Sequence, residues 1–292
     1  MRHGGPVGSN PLPARRLWEA VEPIHAVVYF APEAAAAARR IGLRGFWMSY
    51  FAGRVAPLGP VPPEPVAAMV YGFAPTMVAR AIPDAWQFAH PDVVVDARVT
   101  GAADALRAHL DPPSLARLDK LSDLLWEAVA GCGFEGRPLA SAWSQVPRPA
   151  DVVSSAWLAM TILREHRGDG HVIAAVGAGL SGLDATLTFV ATGAVTREVM
   201  QPNRGWSDDD WERSSRRLRA RDLLDHAGRL TESGRALRGG VEELTDRLAT
   251  LPIEQLGEAG VEQAIGLAAP MSRQLIDHGT IPVPNPVGAP RP

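Results

Sequence analysis

Apolar residues in this chain return every three or four positions along most of its length, and nowhere do they alternate long enough to build a sustained strand. That period predicts a mainly α fold, with one or two short hairpin strands at most. Segment 114–130 is the clearest case: Leu115, Leu118, Leu121, Leu125 and Val129 share one face, and Gly131 closes the run. Over 17–40, Leu17, Val21, Ile24 and Val28 keep the same register, while Pro23 and Pro32 are expected to divide the segment. Val66, Val70, Phe73 and Met77 mark a helix within 64–80. A helix capped by Asp151 and a second, apolar helix over 171–190 follow. The strand candidates, 92–95 and 193–200, are short.

With 292 residues, 46% of them hydrophobic, the chain has enough apolar surface for two domains or one large one. A formal charge of −3 excludes a uniformly basic nucleic-acid coat but leaves room for a local basic face. Cys132 stands alone, which excludes a disulfide scaffold and a cysteine zinc site. No apolar run is long enough to span a bilayer, so no membrane partner is expected. Residues 1–16 read as a Gly/Pro-rich disordered tail without a signal-peptide core, and residues 281–292 as a Pro-rich tail. The expectation is a soluble, cytoplasmic protein.

Between the tails, two helical halves are expected, 17–148 and 149–280, parting near Pro147–Ala150. In each, a helix with a histidine (His25; His171) precedes an arginine (Arg54; Arg204) and a further helix. The readings are duplication about a pseudo-two-fold axis and chance likeness of two helical layouts.

The second half carries its own pattern. Ser207 and Asp210 have the spacing of a capping box, with Trp206 and Trp211 placed as a hydrophobic staple. The following helix sets Arg213, Arg217 and Arg221 in one row, with Arg216 and Arg219 alongside and Leu218 opposite. DHAGRL (225–230) then suits a tight turn or small β-hairpin, and Thr231 caps another helix. This order resembles the late part of winged helix-turn-helix domains of the MarR type. The resemblance implies DNA contact through Arg213, Arg216, Arg217 and Arg219. The alternative is a solvated arginine face, and the acidic start at Asp208–Asp210 favours it.

Across the chain, HAVVYFAPE (25–33), YFAGRVAPLG (50–59), LREHRGDGH (163–171), RGWSDDDW (204–211) and the L-T-x-x-G…E-x-x-T-D ending (230–246) resemble the actinobacterial SalK-like helix-turn-helix family. The resemblance implies a helix-turn-helix and carries no assigned reaction or cofactor. An actinobacterial origin agrees with the bias toward Arg, Ala and Pro.

One stretch, REHRGDGH (164–171), exceeds what DNA binding needs. Gly168 as a helix end and Asp169 as the next helix cap would account for two residues, leaving Glu165, His166, Arg167 and His171. His166 and His171 suit a general base and its partner, with Glu165 or Asp169 fixing a tautomer. The same histidines with His25 suit a metal only poorly, since the spacing matches no zinc motif, and no metal is assigned. Arg54, Arg167 and Arg204 suit a carboxylate or phosphate clamp. His25 and Tyr29, four apart on one helix face, would join the cavity if the halves pack face to face, and Trp206 would line it.

No dinucleotide, Walker or nucleophile-elbow motif is present. The expected function is a ligand-responsive winged-helix regulator that binds DNA and senses a small anionic molecule, as a homodimer or a pseudo-dimeric monomer. The runner-up is an enzyme of specialised metabolism on a helix-turn-helix-derived scaffold that no longer binds DNA.

Overall fold

A computed structural model describes residues 12–292. The chain opens with α1 (Pro13–His25), α2 (Val27–Phe30), α3 (Pro32–Arg40) and α4 (Gly45–Val55), followed by a single 3-10 turn. Short pieces α5 (Pro63–Met69), α6 (Pro75–Ala79) and α7 (Ala85–Phe88) lead to the longer α8 (Pro91–His109) and α9 (Pro112–Ala130). Then come α10 (Pro138–Ser144), α11 (Val152–Gly177), α12 (Gly182–Val190), α13 (Arg197–Arg204), α14 (Asp208–Ala220), α15 (Glu232–Arg247) and α16 (Leu251–Asp277), the last kinked at Gly257.

Prolines set many of these boundaries. They open helices at the first turn, where a missing N–H costs nothing, as at Pro32, Pro63, Pro75, Pro91, Pro112 and Pro138. The expected helix over 64–80 is therefore two pieces, α5 and α6. The expected hairpin after α14 is reduced to one antiparallel bridge between Leu224 and Leu230, and no strand forms among the described residues. The segments 92–95 and 193–200, read as strand candidates, lie in α8 and in the turn leading into α13 together with its first four residues.

The largest departure from sequence expectation is α11, which runs unbroken through Gly168 and Asp169. Packing overrides the local stop signal. A Cβ at Gly170 would stand 2.7 Å from Arg137 Nη1, and Arg137 donates past it to the carbonyl of His166. Asp169 does not cap its own helix. Its carboxylate accepts the Ala140 N–H at 3.0 Å, satisfying the start of α10 instead.

Two apolar clusters result. One joins α1, α4, α8, α9, the first half of α11 and the later part of α16; Trp143, Trp157 and Phe51 are fully buried within it. The other gathers Ala174, Ala175, Leu183, Leu187, Trp211, Leu218 and Val241 around α12, α14 and α15. Trp206 packs against both clusters.

Of the expected tails, residues 1–11 lie outside the described residues, while Pro13–Arg16 already belong to α1. The Pro-rich end lacks helix yet packs: Ile281, Asn285 and Ala289 are buried, and Asn285 holds Ala289 through both backbone groups at 3.0 and 2.8 Å. No single helix among the described residues is long and apolar enough to cross a membrane.

Candidate functional site

A cavity of about 570 Å3 opens where the N-terminal helix, α11 and the α12–α15 region meet. Six arginines border it: Arg15, Arg54, Arg164, Arg167, Arg204 and Arg238. Its apolar wall includes Met69, Val70, Phe73, Leu139 and Phe189. A mixed lining of this kind suits a ligand with a charged end and an apolar body.

At the inner end stands a buried ion-pair lattice. Arg54 grips Glu165 with both arms of its fork, Nε to Oε1 at 3.1 Å and Nη2 to Oε2 at 2.6 Å. Arg164 donates to Glu165 at 2.9 Å and to Glu22 at 3.3 Å, and the Trp18 indole N–H also reaches Glu22 at 3.2 Å. Burial alone would raise the Glu165 carboxyl, but Arg54 and Arg164 hold it down to about 2. Burial raises Glu22, against the pull of Arg164. The lattice follows from the helices: Glu22 shares the inner face of α1 with Leu17 and Ile24, and Glu165 lies on the buried face of α11.

Nearer the opening, Arg15 bridges Glu242 at 3.0 Å and Asp246 at 2.9 Å, while Arg167 meets Asp246 at 2.8 Å. Arg238 pairs with Glu242 one turn along α15. His171 Nδ1 sits 3.0 Å from the Thr245 hydroxyl.

Arg204 differs from these neighbours. Its guanidinium lies 4.2 Å over the Phe73 ring and donates to the carbonyl of Pro286 at 2.9 Å. No carboxylate among the described residues pairs with it. Asp169 is a further carboxyl on the cavity wall, raised by burial to about 6.

Of the residues singled out from sequence, Arg54, Arg167, Asp169, His171 and Arg204 border this cavity, and Glu165 lies directly behind it on Arg54. His25 and His166 instead share a pocket of about 40 Å3. His25 is fully buried, stacked on Trp157 with ring centroids 5.3 Å apart, and neither of its nitrogens has a hydrogen-bond partner. Tyr29 faces a different cavity beside Arg98. Trp206 does not line the large cavity; its indole donates to the Gly72 carbonyl at 2.9 Å and braces the wall. The expected convergence of His25, Tyr29, His166 and His171 on one cavity is not the observed arrangement: His25 ends α1 and Tyr29 lies in α2 rather than on one helix, both turn into the first apolar cluster, and His171 faces α15. No group of three His, Cys, Asp or Glu side chains suited to a metal occurs among the described residues.

Sequence reasoning missed Glu22, Arg98 and Arg164. Arg98 had a signal, since Val94, Val95, Val99 and Ala102 place it on the buried stripe of α8. Arg164 opens the REHRGDGH stretch beside Glu165, but Glu22 had no signal, because its partner Arg164 lies 142 positions away.

The imidazoles set an acid limit on stability. Burial lowers His166 to about 4, and burial likewise lowers His171 to about 4. Below the ordinary histidine range the unfolded chain takes up protons that the folded chain refuses, so stability falls as pH drops from about 6.5 to 4. Asp169 acts in the opposite sense, because its raised carboxyl prefers the protonated form in the folded state. Fully buried His25, which burial also holds well below the ordinary range, adds to the loss, while Glu22 adds to the side of Asp169. The expected net loss is about 3 kcal/mol or more by urea midpoints across that window. A midpoint that rises on acidification would show that the imidazoles are solvated.

On the Arg-rich helix, Arg213 pairs with Asp210, and Arg217 pairs with Asp184 at 2.9 Å. Arg219 is half-buried and its Nε reaches the Asp225 carbonyl at 3.4 Å. Arg216 is exposed. Ser207 and Asp210 form the expected capping box, and the Thr231 hydroxyl caps α15 at the Gly234 N–H.

A family profile described as a helix-turn-helix family matches residues 14–282. No curated protein and no solved structure matches the chain.

Proposed function

The chain belongs to this helix-turn-helix family, and on that premise we propose that it is a DNA-binding regulator whose large cavity takes a small anionic effector. In this reading α12, α13 and α14 are the three helices of the reading unit, and α14 enters the major groove. Arg216 is the first phosphate or base contact, with Arg213 beside it. Arg217 and Arg219 join them by exchanging their partners within the protein.

One observation carries the link between ligand and DNA. Arg204, the cavity arginine without a carboxylate partner, is the last residue of α13, and its carbonyl accepts the Ala74 N–H at 2.8 Å from the cavity wall. An anion bound to Arg204 contacts the middle helix of the reading unit and the body together. It therefore has a differential interaction with the two placements of α14, which any ligand-driven shift requires.

The test is fluorescence anisotropy on DNA from upstream of the gene, against a scrambled duplex, at two salt concentrations. We expect selective binding that weakens with salt, and an Arg216→Ala variant that binds about ten-fold more weakly with a salt slope reduced by about one. Absence of binding at micromolar protein in both salts refutes the DNA reading.

The second reading, an enzyme on the same scaffold, rests on Asp169, whose carboxyl near 6 suits proton transfer at the cavity wall. A cofactor retained in stoichiometric amount, with no DNA binding, favours it.

A further inference from the structure

A second cavity, of about 250 Å3, lies between α3, α4 and α8. Val28, Ala38, Leu43, Phe46 and Val94 give it apolar walls, and Arg98 stands at its polar end beside Tyr29 and Tyr50. Phe46 is 48% exposed, and exposed Ala35 and Arg39 also border the cavity, so it is open to solvent.

Arg98 is the unexplained feature. It is 8% exposed, and its Nη2 donates to the Tyr29 hydroxyl at 3.2 Å while its Nε has no partner. Its guanidinium lies 5.3 Å from the Tyr29 ring and 5.7 Å from Trp157, contacts that soften a buried charge without neutralising it. No carboxylate among the described residues pairs with it. Glu165, the carboxylate whose field reaches it, is already gripped by Arg54 and Arg164. An arginine keeps its charge at any ordinary pH, so a buried guanidinium in this state calls for an anion.

We propose that this cavity is a separate binding site for a small carboxylate with an apolar body, its carboxylate on Arg98 and the Tyr29 hydroxyl and its body against Val28, Ala38 and Val94. One buried guanidinium, with Arg39 only on the solvent-exposed rim, and apolar walls match a single negative charge at the inner end; a phosphate dianion would leave charge unpaired there. The volume lies below the range of drug-sized pockets, which restricts the ligand to about one ring or a short chain. The site is independent of the DNA-binding reading and of Arg204, although Tyr50 borders both cavities.

The test is calorimetric titration of the full-length protein with sodium benzoate, with phenol and inorganic phosphate as comparisons. We expect benzoate to bind at least ten-fold more tightly than either. Arg98→Met should abolish this binding, and Ala38→Leu, which fills the apolar end and keeps the guanidinium, should weaken it at least ten-fold. Circular dichroism establishes that each variant is folded, and Arg204→Met should retain the wild-type affinity. Phosphate or phenol binding as tightly as benzoate, benzoate affinity unchanged by Ala38→Leu, loss of binding in Arg204→Met, or no benzoate binding at millimolar concentration would each overturn the proposal.

Discussion

Replacing Glu165 by Gln is expected to cost about 4 kcal/mol of folding stability, read as a lowered urea midpoint at unchanged slope. The substitution keeps shape and removes one charge. Arg54 and Arg164 would then sit in the interior with Glu22 as their only carboxylate, and Arg54 would keep just its contact to the Tyr50 hydroxyl and an amide. Uncompensated buried charge is the expensive outcome; the pair itself contributes little beyond repaying its own desolvation. The double variant Arg54→Met/Glu165→Leu should therefore recover most of the loss. The exposed pair Arg16–Glu262, with side chains 35% and 51% exposed, provides the comparison. Breaking it should cost under about 1 kcal/mol, because water screens both partners. Equal losses at the two pairs would mean that the Glu165 lattice is solvated.

The same contrast between local and distant partners explains what could be read from sequence. Where a residue's partner lies within a few positions, sequence and structure agree: Ser207 and Asp210 form their capping box, Asp151 caps α11, and the apolar row from Leu118 to Val129 is buried. REHRGDGH stands out in the sequence by its density of charge, and Arg167, Asp169 and His171 from it border one cavity with Arg54 and Arg204. Its detail was hidden because each partner comes from another element. Gly168 and Asp169 carry a local stop signal, but Arg137 and the start of α10 claim that stretch and the helix continues. His25 is fully buried on Trp157, away from the large cavity; a histidine on an apolar face carries no mark of the side to which the helix turns.

Gly182→Ala is expected to be the most damaging methyl that can be added to the chain. An ideal Cβ at Gly182 would stand 1.7 Å from the Tyr71 carbonyl oxygen and 2.7 Å from its carbon. Those are backbone atoms, so no rotamer change relieves the overlap; α12 or the 71–74 strip must move. That strip is held from several sides. The Tyr71 hydroxyl donates to the Leu180 carbonyl, the Gly72 carbonyl accepts the Trp206 indole, and the Ala74 N–H bonds Arg204. Tyr71, Gly72 and Phe73 also wall the large cavity. A loss of about 3 kcal/mol or more follows from overpacking against an element that cannot yield. Faster hydrogen exchange should appear at Ala74 and at the Trp206 indole before the first apolar cluster opens. Gly240→Ala, on the exposed side of α15 with open space around the added methyl, should be neutral or stabilising by up to about 1 kcal/mol. If both alanines behave alike, the approach of α12 to Tyr71 is not tight, and Arg204 loses the rigid connection through which a cavity anion reaches α13.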